Sequence, residues 1–94
     1  MQKKITVGGS VFWGTQIATP NAVLLVIAGS RGLLGCGYLN CAVGTKLGDA
    51  VAIVRGVKSF DDMLAAAVVE VSAPAAALGV AVGMTGREAL ERMA

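Results

Sequence analysis

The sequence predicts an α+β fold: N-terminal antiparallel β-hairpins, then short strands alternating with short helices, in a mixed sheet with helices packed on it. Three observations lead there. The first half consists of alternating or continuous apolar runs broken by Gly- and Pro-containing turns. The second half repeats a short pattern of apolar run, glycine, helix cap and acidic residue. The length of 94 residues suits one domain, residues 1–94, and not two.

Taken in order, Lys3–Val7 places Ile5 and Val7 on one face of a first strand. In the next strand Val11, Trp13, Thr15 and Ile17 alternate with Phe12, Gly14, Gln16 and Ala18, so both faces carry apolar bulk. Gly8-Gly9-Ser10 between them is a hairpin turn. Thr19-Pro20-Asn21 breaks the chain again. Ala22–Ala28 then reads as a strand covered on both sides. Gly29-Ser30-Arg31-Gly32 turns into Leu33-Leu34, giving two hairpins in tandem.

Beyond residue 38 the pattern changes. Leu39–Leu47 fits a short helix with Asn40 as cap and Gly48 as stop. Ala50–Val54 is a short strand. Ser59 caps a helix whose first turn holds Asp61 and Asp62 and which runs through Met63–Ala66. Ala67–Val71 fits a strand or a helical continuation. Ala73–Leu78 carries Pro74 in its first turn. Val80–Val82 reads as a brief strand. Thr85 and Glu88 form a T-x-x-E capping box ahead of a final helix, Glu88–Met93. Gly56 to Asp61 and Gly83 to Glu88 thus look like one strand-to-helix turn used twice. Helix starts can bind anions, but Asp61, Asp62 and Glu88 already supply negative charge at these two.

Composition bears on assembly and on chemistry. Hydrophobic residues make up 55% of the chain and charged ones 15%, against roughly 45–50% and 25% in typical domains. A domain this small buries only about 60% of its unfolded surface. The surplus apolar surface therefore calls for subunit interfaces. The reading is a homo-oligomer, a tetramer foremost, joined through residues 3–18 with Val11, Trp13 and Ile17 in the interface. Trp13 fits an interface anchor better than a ligand stacker. A membrane span is not expected. Val71–Gly86 lacks charge but falls short of the about 20 apolar residues a span needs, and it contains Pro74, Gly79 and Gly83. Lys3 and Lys4 precede alternating residues, unlike a secretory signal, so a cytoplasmic location is expected. A net charge of +2 with scattered basic residues argues against nucleic acid as partner. An unidentified small molecule is the other partner this reading allows.

The chain has no histidine, which removes imidazole acid–base catalysis, Cys–His dyads and His metal ligands within one subunit. Phosphate-loop and nucleophile-elbow motifs are missing too. No cofactor and no metal are expected. A two-thiolate metal site shared between subunits finds only a lone C-x-x-x-x-C behind it.

Gly35-Cys36-Gly37-Tyr38-Leu39-Asn40-Cys41 is where chemistry is to be sought. Flanking glycines leave Cys36 little cover and let other groups approach. A thiol close to a helix start is activated as thiolate. Cys36 is accordingly the candidate nucleophile or thiol ligand, with Asn40 or Tyr38 hydrogen-bonding beside it. The reading is a binding or interaction module whose cleft lies near Cys36 at a subunit interface, with Gly35, Cys36, Gly37, Asn40 and Arg55 as the candidate ligand-binding residues. The alternative is a small enzyme in which Cys36 acts with Asn40 as orienter and Arg55 as anion clamp. A plainer reading has Cys36 packed as a small hydrophobe, Arg55 in a salt bridge and Arg31 solvated in its turn; redox pairing of Cys36 with Cys41 is a third.

Leu33-Leu34-Gly35-Cys36-Gly37-Tyr38-Leu39-Asn40, Val54-Arg55-Gly56-Val57-Lys58-Ser59 and Gly83-Met84-Thr85-Gly86-Arg87-Glu88-Ala89-Leu90 together resemble the YunC-like family, a domain of unknown function in bacteria and archaea. The resemblance runs from about Val11 to near the end of the chain. It implies an α+β fold, tetramerisation through an N-terminal β-rich region, and no assigned reaction. Its motif positions fall on Cys36, Gly37, Asn40, Arg55, Gly56, Gly83, Gly86 and Glu88. Asp is common in the family where this chain has Asn40, which weakens any mechanism needing a carboxylate there.

Overall fold

Ten elements follow one another in the computed structural model, which describes residues Met1–Ala94 except for the side chain of Val43. They are β1 (Gln2–Val7), β2 (Ser10–Ala18), β3 (Val23–Ala28), β4 (Leu33–Gly35), α1 (Cys41–Leu47), β5 (Val51–Ile53), α2 (Phe60–Ala65), β6 (Glu70–Val71), α3 (Ala73–Ala77) and α4 (Gly86–Arg92). The strands form one sheet in chain order. β1 to β4 is an antiparallel meander. β5 lies parallel to β4, with α1 as the crossover, and β6 returns antiparallel. The α+β class with a mixed sheet is as expected.

The β1–β2 turn shows how locally this is encoded. Val7 pairs with Ser10, leaving Gly8 and Gly9 as a two-residue loop with φ of 57° and 83°. Two positive φ values are what a type I′ hairpin turn requires, and glycine adopts them without steric cost.

Alternation along the strands sorts side chains to two faces. The inner face carries Ile5, Val7, Phe12, Leu25, Ile27, Leu34 and Ala52, packed against Phe60 and Met63 of α2 and Ala89 and Leu90 of α4. Gly14 leaves room for the Phe60 ring, which a Cβ there would overlap at 2.8 Å. The outer face is covered by α1 only over β4 and β5, where Cys41, Val51 and Ile53 pack with Leu33 and Leu39. Over β1–β3 that face lies open.

Several boundaries differ from expectation, those of β5, α3 and α4 by one or two residues. α1 begins at Cys41, because the Leu39 N–H donates to the Cys36 carbonyl and closes a separate turn. Ala67–Val71 resolves into an isolated bridge between Ala67 and Thr85, then β6. Val80–Val82 is not a strand. Positive φ at Gly79 and Gly83 turns the chain at both ends, and the Val80 N–H bonds to Ala75 O within the turn. Val80 is buried all the same, which is why the segment reads as strand. Ser59 and Thr85 cap α2 and α4 as the sequence indicates, although α4 begins at Gly86 and not at Glu88, and Ser72 caps α3. Thr85 and Glu88 form the full capping box, whose hydrogen bonds hold the Glu88 carboxyl below its usual range. No described helix is long and apolar enough to cross a membrane.

Candidate functional site

Three chain segments meet at one end of the sheet. Because β4 and β5 are parallel, the loops leaving their carboxyl ends lie side by side. The start of β3, antiparallel to β4, reaches the same end. Between them lies a cleft with two lobes. One, of about 260 Å³, is lined by Val23, Cys36, Gly37, Tyr38, Gly56 and Val57. The other, of about 510 Å³, is lined by Asn21, Ala22, Val23, Gly56, Val57 and Lys58. Val23, Gly56 and Val57 border both.

Each wall is held by its own bonds. Cys36 donates its N–H to the Leu25 carbonyl at 3.1 Å, and its sulfur accepts the Leu25 N–H at 3.3 Å. The residue is thereby clamped to β3 and is only 4% exposed, although it borders the cleft. Gly35 is buried under Leu39: a Cβ there would stand 2.5 Å from Leu39 Cδ1. Glycine thus lets the Leu39 side chain lie directly on the strand end. Tyr38 is exposed, but its hydroxyl shares a 2.9 Å hydrogen bond with Thr19 Oγ1, which also accepts the Ala22 N–H. The β4–α1 loop and the β2–β3 turn are so tied together. On the third wall, Gly56 takes a φ of 72°. The Lys58 N–H donates to the Asp62 carboxylate, and the Asp62 N–H to Ser59 Oγ. Among the described residues, the N–H groups of Gly37, Tyr38, Gly56 and Val57 have no acceptor within the protein.

The five residues singled out from the sequence do not share one surface. Cys36 and Gly37 border the cleft, and Gly35 supports it from below. Asn40 lines a different hollow beneath α1, with Leu33, Leu39, Leu47 and Val51. Arg55 pairs with Glu70 at 3.0 Å, and its Cγ lies near Gly37. Glu70 also accepts the Cys41 N–H at 3.4 Å. Burial pushes the Cys41 thiol upward from its ordinary value, and Glu70 adds to the shift by charge and hydrogen bond. The thiol itself donates to the Val51 carbonyl. Both cysteines are free and buried. Among the described residues no three His, Cys, Asp or Glu side chains come together as a metal site. Sequence reasoning did not find Asn21, Ala22, Val23, Val57 or Lys58 as lining residues. The signal for them is parallel pairing of β4 with β5, since ligands of open sheets sit beyond the carboxyl ends of parallel strands.

A second feature lies on the outer face. Val11, Trp13 and Ile17 are 48%, 53% and 54% exposed. Across β3 from them, Trp13 is opposite Ala28 and Ile17 opposite Leu24. The result is an apolar strip on a sheet face that no helix covers.

Comparison with known proteins agrees with this architecture. Residues 35–93 match the model of a family described as "Domain of unknown function (DUF1805)". The uncharacterized protein YunC of Bacillus subtilis (strain 168) is 33% identical, over 95% of this chain and 92% of its own. A protein of unknown function from Thermoplasma acidophilum, TA1206, superposes with a TM-score of 0.93 at 40% identity, over 100% of this chain and 94% of that one. The family match spans the β4–α1 and β5–α2 loops of the cleft and all four helices, and with the YunC identity over nearly the whole length it establishes that the chain belongs to the DUF1805 family.

Proposed function

We propose that the protein is a homo-oligomeric binding module, most simply a tetramer, that takes a small molecule in the cleft bordered by Cys36. The observation that carries this reading is the convergence of three loops at the carboxyl ends of β4 and β5, where open sheets hold their ligands. The exposed Val11, Trp13 and Ile17 support assembly through the hairpin face, since contiguous apolar patches mark contact surfaces. The two free thiols fit a reducing, cytoplasmic setting.

The alternative is a small enzyme with Cys36 as nucleophile or thiol ligand and Asn40 and Arg55 assisting. Its support is that Cys36 borders the cleft. Against it, the sulfur is occupied by the Leu25 N–H, Asn40 lines another hollow and Arg55 is engaged by Glu70.

A ligand-observed NMR screen of small fragments, run on the wild type and on Gly37→Leu, tests the binding reading. A Cβ at Gly37 meets only Arg55 Cγ at 3.6 Å, an ordinary contact, so the variant keeps the fold while its side chain fills the mouth. Hits with the wild type that vanish in the variant are expected. Hits that survive unchanged place binding elsewhere and overturn the reading.

A further inference from the structure

We infer that the cleft takes a small carboxylate with an apolar body, an inference that rests on the binding reading above. Gly37 and Tyr38 on one loop and Gly56 and Val57 on the other border the same lobe, and among the described residues their N–H groups have no protein acceptor. Successive N–H groups in turns form concavities suited to anions, because their partial charges all have the same sign. Here the residues that carry two such pairs line one space. Lys58 lines the adjoining lobe and brings an ammonium, which acts as a point charge and can follow an anion.

The rest of the lining limits what that anion can be. Ala22, Val23 and Val57 make the second lobe apolar, so the ligand carries hydrocarbon as well as charge. The surrounding charges nearly cancel. The Arg55 guanidinium is matched by Glu70, and the Asp62 carboxylate sits on the Lys58 N–H. A polyanion would find a single ammonium, that of Lys58, among the residues lining the two lobes. A singly charged carboxylate suits four amides and one Lys, and a volume of about 260 Å³ for the amide-lined lobe fits a short ligand.

Amide correlation spectra of ¹⁵N-labelled protein test this with three probes: 3-methylbutanoate, its neutral amide, and inorganic phosphate. The carboxylate is expected to shift the Gly37, Tyr38, Gly56 and Val57 signals, and the neutral amide to do so far more weakly. Lys58→Gln, at an exposed position, should weaken carboxylate binding roughly three- to fivefold, the scale of one exposed charge contact. Equal shifts with the neutral amide, or stronger ones with phosphate, overturn the carboxylate assignment and leave the binding cleft standing. No shift at these residues with any probe overturns both.

Discussion

At the residue scale the two cysteines have different work. Cys36 is fixed by a reciprocal pair of contacts with Leu25, one through its N–H and one through its sulfur. Cys41 opens α1 with its side chain buried, its thiol proton given to Val51 O and its N–H to Glu70. Burial and Glu70 raise the Cys41 thiol above its ordinary 9.0. The linkage follows from that direction. Below pH 9 both folded and unfolded chains keep the proton. As pH rises past the ordinary value, the unfolded chain loses it first, so the fold loses stability. Urea unfolding between about pH 8 and 10 should show a steeper decline for the wild type than for Cys41→Ala. Parallel slopes would contradict the burial argument. The Cys36 segment was legible in the sequence, because two glycines around a cysteine mark a place of close approach. Its partition was not. Asn40 parts from Cys36 because Leu39 folds back over Gly35 and Tyr38 turns to Thr19, a partner 19 residues away.

At the element scale, the helices owe their positions to caps and to one glycine. Gly86 opens α4 against α2, and a methyl group there would run into the Met63 carbonyl oxygen, with Leu34 Cδ2 at 2.8 Å. The clash is with backbone and cannot be relieved by a rotamer change. Gly86→Ala should therefore destabilise by at least about 1–3 kcal/mol, the overpacking range, read as a fall in the urea midpoint. A midpoint equal to wild type would mean α4 can slide. Caps and turns were the most legible elements, since Ser59, Thr85 with Glu88, and Gly8-Gly9 act through their immediate neighbours. The pairing of β4 with β5 was hidden. Both are three-residue strands, too short for a periodic signal, and their partnership depends on α1 crossing between them. Val80 misled for a related reason: burial in a turn and burial in a strand leave the same apolar letter in the sequence.

At the scale of the whole molecule, an apolar surplus in the composition reappears as an apolar surface. α2 and α4 cover the inner face, α1 covers the β4–β5 part of the outer face and α3 packs on α1 and β5, so among the described residues no helix is left for the hairpins. Burying Trp13, Ile17 and Val11 between subunits removes that surface from water at about 25 cal/mol per Å². Light scattering at micromolar concentration should give the wild type a mass several times 9.4 kDa. Trp13→Glu, which sets a charge amid the strip, should shift it toward the monomer. A wild type that stays at 9.4 kDa would contradict assembly through this face.

The central claim is that the carboxyl ends of β4 and β5 form the binding site, and crystals soaked with the fragment hits test it most directly. The account predicts ordered ligand density between the Gly37–Tyr38 and Gly56–Lys58 loops, against Val23. Well-ordered density for the same fragments only in the hollow beneath α1, with the Cys36 cleft holding solvent alone, would contradict it.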